Sequence, residues 1–326
     1  MSKPLIAVFR GGYSGESVIS HQSADRMLGA IDTARFDPVF VTITNEGWSA
    51  EAADGRPMVL DRANFAVGSA RGVVRVHAAL IAIHGSPGEN GLLQGYLDML
   101  NVPYQTGGVL NMAITFSKYA TVTLLRHMGH TVAPSILVPA KGAVAEEEIL
   151  AVTGLPCFVK PDASGSSLGI SKVKTRDELA PAMEKAFAEG SAVMVEGAVK
   201  GRELTCGVIR LGGKVIAMPV CEVITDREFF DYHAKYHDSA TRELVPAPLP
   251  DEVTRMVQQR SEAIYTALNC NGMARIDHIW TGEVLATIEV NTTPGFSGAS
   301  IFPKMLEVSG IGVPAAINGL IEGMLQ

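Results

Sequence analysis

Apolar residues in this chain fall into short continuous runs set between glycine- and proline-rich turns, with stretches of helical spacing between them. The run Leu5-Ile6-Ala7-Val8-Phe9 reads as a buried strand, and Gly11-Gly12 after it as a tight turn. Helical spacing follows over residues 17–30, with Glu16 in the first turn. A strand, a glycine turn and a helix begin an open α/β sheet. Further strands are predicted at residues 38–43 and 79–84, and a helix at 89–100. Pro103 and Gly107-Gly108 then break the pattern, which places the end of a first domain near residue 106.

From residue 109 to 127 the spacing predicts one helix stopped by Gly129, followed by strands at 132–138 and 157–160. Thr175 and Glu178 have capping-box spacing, which starts a helix running to about residue 188, and residues 193–196 form another strand. This middle part, 107–201, is small and mixed α/β. Strands at 203–210 and 214–223 flank Gly212-Gly213, a hairpin signal. A helix is expected at 252–268, and two last strands, 273–280 and 283–291, turn at Thr281-Gly282, giving a third part over 202–326.

The chain has 326 residues, 47% of them hydrophobic, which suffices for sizeable cores in two or more domains. Its formal charge of −7 gives no basic field for nucleic acid or an anionic membrane, so any phosphate must be met locally. Cys157, Cys206, Cys221 and Cys270 form no CxxC pair and lie in apolar stretches, as buried thiols of a cytosolic protein do. No apolar run is long enough for a signal peptide or a membrane span, so a soluble cytoplasmic protein is expected.

Neither a GxxxxGK[ST] loop nor a GxGxxG after a strand is present. The candidate phosphate site is Lys160-Pro161-Asp162-Ala163-Ser164-Gly165-Ser166-Ser167-Leu168-Gly169, between two short strands. Small residues let backbone N–H groups approach phosphate oxygens, hydroxyls add donors, and the lysine adds charge. A second cluster is Arg275-Ile276-Asp277 on one strand and Ile288-Glu289-Val290-Asn291-Thr292-Thr293-Pro294-Gly295 on the next. Alternation along paired strands puts Asp277, Glu289 and Asn291 on one face and sends Ile288 and Val290 into a core. Three oxygen-bearing side chains on one face suit Mg²⁺.

These segments resemble the D-alanine–D-alanine ligases of the ATP-grasp superfamily. Met273-Ala274-Arg275-Ile276-Asp277 and Glu289-Val290-Asn291-Thr292-Thr293-Pro294-Gly295 are similar to the family's magnesium and oxyanion segments. Matching in order are Gly11-Gly12-Tyr13-Ser14-Gly15-Glu16, His84-Gly85-Ser86-Pro87-Gly88-Glu89-Asn90-Gly91, Lys160-Pro161 with Gly165-Ser166-Ser167, and Phe230-Asp231-Tyr232 with Lys235-Tyr236. The resemblance implies a three-domain α/β ATP-grasp fold, with ATP gripped between the second and third domains, and joining of two D-alanines through an acyl phosphate for peptidoglycan precursors. It also implies a homodimer.

Carried over position by position, it implies that Lys118, Lys160 and Ser167 hold ATP phosphates, Glu196 and Glu203 the adenine and ribose side, and Lys235 the γ-phosphate. Asp277, Glu289 and Asn291 bind two Mg²⁺ ions, with Mn²⁺ as a substitute. Glu16 pairs with the ammonium of the first D-alanine, linked to Ser166 and Tyr236 when the loops close, and His84 lies near that substrate. Arg275 and the Gly295 N–H stabilise the oxyanion, and Ser300 receives the second carboxylate. From helix-terminus physics alone, Glu16 would only complement a helix dipole.

Three positions depart from the commonest family pattern. Ser117 stands where an aspartate often precedes the lysine, Ser17-Val18 replaces a more polar pair, and Ala299 takes the place of a histidine before Ser300. Ala299 leaves D-serine or D-lactate open as the second substrate. A non-catalytic ATP-binding protein is the alternative of another class, though pure binding has no need of an oxyanion donor such as Arg275. An acyl phosphate hydrolyses in water, so residues 164–169 and 226–242 are expected to close over the site.

Overall fold

The computed structural model describes residues 3–69, 72–165, 168–225 and 241–326. Its first part holds β1 (Leu5–Gly11), α1 (Ser17–Gly29), β2 (Asp37–Thr44), β3 (Gly47–Ala52) and β4 (Pro57–Met58). A small antiparallel sheet of β5 (Leu60–Asp61), β6 (Ala66–Ser69) and β7 (Gly72–Arg75) precedes β8 (Ala78–Ile81). The main sheet runs β4-β3-β2-β1-β8, with β1 parallel to both its neighbours. A strand in that position is covered on both faces, which is why its sequence is continuously apolar. Leu5, Ala7 and Phe9 pack with Phe65 and Leu97, while Ile6 and Val8 pack with Ala24 and Met27 of α1. Beyond β1 the chain turns at Gly11, whose positive φ and approach to the Ile43 carbonyl leave no room for a Cβ.

The second part follows α2 (Leu92–Met99) with α3 (Val109–Phe116), α4 (Lys118–His127), β9 (Ser135–Val138), α5 (Glu146–Thr153), β10 (Cys157–Pro161), β11 (Ser171–Val173), α6 (Leu179–Glu189) and β12 (Val193–Gly197). Its antiparallel sheet runs β11-β10-β12-β9. The expected capping box at Thr175 and Glu178 is formed, and it opens on a 3₁₀ turn before α6. The single helix expected over 109–127 is instead two. Ser117 adopts an extended backbone and its Oγ accepts from Ala120 N, which caps α4. Asp162 completes that cap, its carboxylate accepting from Ser117 Oγ at 2.6 Å and Tyr119 N at 2.7 Å. The break brings Lys118 to the start of a helix that abuts the phosphate-loop candidate.

The third part contains β13 (Arg202–Leu211), β14 (Lys214–Ala217), β15 (Cys221–Ile224), β16 (Arg242–Leu244), α7 (Asp251–Ala267), β17 (Met273–Trp280), β18 (Leu285–Asn291), α8 (Ile301–Val308) and α9 (Val313–Met324). The strand expected over 214–223 is split between β14 and β15. Pro219 interrupts it, and Met218 N turns to the Gly207 carbonyl. The sheet runs β16-β15-β13-β17-β18, with β14 also on β13. Ala274, Ile276 and Val290 face α7, while Ile209 and Met273 on the opposite face pack with Phe302 and Met305 of α8 and with the first sheet's α1. Arg275 and Asp277 continue the Met273 face beyond the cover of α8. That leaves their polar groups opening on a cleft.

Candidate active site

One cleft of about 300 Å³ gathers side chains from all three parts of the chain. Its floor is the hairpin of β17 and β18, where Asp277 lies opposite Glu289 and Arg275 opposite Asn291. Asn291 Nδ2 donates to Asp277 Oδ2 at 3.1 Å and lies 3.5 Å from Glu289 Oε1, so the three residues face one another as the alternation requires. Arg275 donates twice to Asp277, each bond 2.8 Å, and Thr205 Oγ1 on β13 donates to Asp277 Oδ1. Among the described residues no group of three or more His, Cys, Asp or Glu side chains has metal-holding geometry. The present set is two carboxylates and an amide.

Val290 is in the core as expected, but Ile288 is not. The register shifts after Asp277, so His278 pairs with Thr287 and Ile288 bulges out, half-buried, at the cleft wall. A single inserted residue reverses facing on one side of it.

Across the cleft, Lys160 on β10 makes a buried ion pair with Glu196 on β12. Burial would lower the lysine's pKa, but Glu196, and then Glu289 and Glu203, outweigh that and raise it, so Lys160 stays charged. Lys118 Nζ donates to the Ser164 carbonyl, which ties the start of α4 to the phosphate-loop candidate. Glu203 lies near β13's start and also lines the cleft.

Glu16 precedes α1 but makes no side-chain cap bond there. Its carboxylate, 8% exposed, is turned onto Gly165, where an added Cβ would lie 2.1 Å from Oε2. His84 is buried beside it. Burial, followed in effect by Glu16 and by a Thr293 backbone hydrogen bond acting the other way and by Arg275, leaves its pKa below the ordinary value, so the ring is neutral. On the second side, Ser300 Oγ sits against Gly295 and accepts from Ser297 N at 3.0 Å. Ala299 lines the same wall.

The structure therefore brings together Glu16, His84, Lys118, Lys160, Glu196, Glu203, Arg275, Asp277, Glu289, Asn291, Gly295 and Ser300. Ser166, Ser167, Lys235 and Tyr236, with the 230–232 segment, lie outside the described residues.

Glu89 has a place in the cleft that no residue pattern assigned. It accepts from Gly85 N at 2.6 Å, and enclosure by the cleft walls, then the charge on Glu16, push its carboxyl up to about 8. Its only sequence signal was membership of the His84 to Gly91 segment.

The D-ala D-ala ligase N-terminus family matches residues 5–107, and the D-ala D-ala ligase C-terminus family matches residues 124–322. A D-alanine–D-alanine ligase of Bacteroides fragilis is 40% identical over 98% of this chain and 99% of its own. One of Porphyromonas gingivalis is 39% identical over 100% of this chain and 99% of its own. Among solved structures, D-alanyl-alanine synthetase A of Vibrio cholerae superposes with a TM-score of 0.88 at 29% identity, covering 100% of this chain and 99% of that one. The VanG D-Ala:D-Ser ligase of Enterococcus faecalis gives 0.87 at 30% identity, covering 100% of each chain.

Proposed function

The chain belongs to the D-alanine–D-alanine ligase family, and on that premise we propose how its cleft performs the family's reaction. It is an ATP-grasp enzyme that joins two D-alanines through an acyl phosphate, for peptidoglycan precursor synthesis. The observation that carries the assignment of residues is the cleft itself, in which Arg275, Asp277, Glu289 and Asn291 face Lys118, Lys160 and Glu16.

A carboxylate does not react with an amine in neutral water, because oxide would have to leave. The carboxylate of the first D-alanine attacks the γ-phosphorus of ATP, an O–P bond forms, and ADP departs. Lys118 and Lys160, with Ser167 and Lys235, hold the phosphates, and Glu196 and Glu203 lie on the adenine and ribose side. Glu16 pairs with the substrate ammonium, with Ser166 and Tyr236 linked to it on closure.

Asp277, Glu289 and Asn291 offer hard oxygen donors on one face and fit two Mg²⁺ ions, or Mn²⁺ in their place. When bound, these ions supply charge neutralisation for the phosphoryl group in transfer. The second D-alanine, once its ammonium has lost a proton, attacks the acyl carbon. Arg275 and the Gly295 N–H hold the resulting oxyanion, Ser300 receives the second carboxylate, and phosphate leaves. An acyl phosphate hydrolyses in water, so water must be excluded from it; of the two segments proposed for this, 164–169 and 226–242, residues 166–167 and 226–240 lie outside the described residues.

We divide the chain into 1–106, which binds the first substrate, 107–201, a lid, and 202–326, which carries the catalytic hairpin. Each part contains one principal sheet. We place the reaction in the cytoplasm, which supplies its ATP; as a separate fact, no helix among the described residues is long and apolar enough to cross a membrane. A homodimer is supported by the exposed apolar side chains Leu92, Met99 and Leu110 on and beside α2.

The test is ADP release with magnesium and D-alanine alone, then with D-serine or D-lactate added to the D-alanine, products being separated by mass. D-alanine alone should give ADP and its dipeptide. No ADP from folded protein at millimolar D-alanine would refute the proposal. Mixed products dominated by D-alanyl-D-serine would favour the second reading that the VanG likeness suggests.

A further inference from the structure

Ser23 of α1 is fully buried, and its hydroxyl has polar partners on two other segments of the chain. Phe296 N donates to Ser23 Oγ at 3.1 Å, and Ser23 Oγ lies 3.3 Å from His84 Nε2. A hydroxyl has one proton. Its oxygen also has a second lone pair, so toward His84 Nε2 the hydroxyl donates or accepts according to the imidazole tautomer. The ring is also turned to the backbone of Thr293, which acts on it as a hydrogen-bond acceptor. One series of contacts therefore links the Phe296 N–H, the Ser23 hydroxyl, the His84 ring and the Thr293 backbone.

The two ends of that series bracket Pro294-Gly295, the turn that carries the Gly295 N–H. Thr293 Oγ1 is buried with no hydrogen-bond partner among the described residues, so the turn is not held through its own hydroxyl. Ser14 Oγ donates to the His84 carbonyl at 2.9 Å and fixes the histidine from behind. Glu16 and Arg275 are the charged groups that act on the ring, with opposite signs.

We propose that Ser23 and His84 are positioning residues that clamp the Thr293 to Phe296 turn and thereby aim the Gly295 N–H at the oxyanion of the second half-reaction. The inference rests on the ligase reading above. It has a consequence that a packing role lacks, because the clamp serves attack on the acyl carbon and not transfer of the phosphoryl group. With the oxyanion poorly held, the amine attack that forms the C–N bond and expels phosphate slows. Water then takes a larger share of the acyl phosphate, returning D-alanine and phosphate.

The experiment measures ADP and D-alanyl-D-alanine together in wild type, Ser23→Ala, His84→Asn and the double variant, with melting temperatures alongside. Wild type should give one ADP per dipeptide. Each single variant should lose about tenfold in dipeptide formation, less than the 10²–10³ lost when an oxyanion donor is removed outright. ADP per dipeptide should rise clearly above one, and the double variant should be no worse than the poorer single one. A ratio that stays at one in the folded variants, or effects that multiply in the double variant, would overturn the clamp. Wild-type protein making no ADP with D-alanine would overturn the ligase reading and the clamp with it.

Discussion

Glu16 shows how one residue can satisfy two physical accounts until its side chain is placed. An acidic group at a helix start complements the dipole, but this carboxylate makes no cap bond and faces Gly165 in the cleft. Glu16→Gln keeps the shape and removes the charge. The apparent affinity for the first D-alanine should fall by about 1.5–3 kcal/mol, the range for a lost charge-assisted contact, and steady-state titration of D-alanine measures it; unchanged kinetics would return Glu16 to a helix-end role.

Glu89 gives a prediction of another kind. Its folded pKa of about 8 lies above the unfolded value of roughly 4.3. The neutral carboxyl thus contributes stability below that unfolded value, and the contribution is lost as pH rises through about 8. Glu89→Gln stays neutral and can still accept from Gly85. Ligand-free variant and wild type should melt alike near pH 5, and the variant should melt higher by pH 9. Equal melting across that range would show that Glu89 is solvated. Glu16, Arg275 and Asp277 were legible because their segments carry a recognisable order of residues. Glu89, Ser23 and Thr205 were not, since their meaning lies in neighbours 4 to 273 positions away.

At the scale of elements, the paired strands were the most readable feature. Alternation placed Asp277, Glu289 and Asn291 together without knowledge of any partner. Ile288 escaped that reading because a bulge has no signature in hydrophobic pattern. The division between α3 and α4 escaped it as well, since the apolar spacing runs on through Ser117 while the cap comes from Asp162, 45 positions later. The helices α5, α8 and α9 were not anticipated, and neither were the short strands between residues 47 and 75. The departure at Ser117 acquires a purpose here, as the N-cap of the helix that starts with Lys118. Asp162→Ala should remove two acceptors from this junction, lower stability by about 1–2 kcal/mol as lost caps do, and raise the KM for ATP by loosening Lys118. Chemical denaturation with ATP titration measures both; a stable variant with altered KM would confine Asp162 to nucleotide binding.

Over the whole molecule, the core that unites Ile6 and Val8 of the first sheet with Phe302 and Ile317 of the last helices fixes α1 against the loop that holds Gly295 and Ser300. The sides proposed for the first substrate and for the oxyanion are thus parts of one packed body, while Lys118 approaches from α4 and Lys160 from the second sheet. This relation between distant segments was open to sequence reading only through the ordered family motifs, because hydrophobic pattern specifies faces and not which sheets meet. Ser166, Ser167, Lys235 and Tyr236, which the same motifs assign, lie outside the described residues.

The central claim is that this cleft activates a D-alanine carboxylate as an acyl phosphate. D-alanine labelled with ¹⁸O in its carboxylate, incubated with the protein, ATP and magnesium, reports on that step directly. One oxygen of the first D-alanine must depart on phosphorus, so the inorganic phosphate released should carry one ¹⁸O atom per dipeptide formed. Dipeptide accompanied by unlabelled phosphate would contradict the account, because the amide would then have formed without the carboxylate oxygen ever bonding to phosphorus.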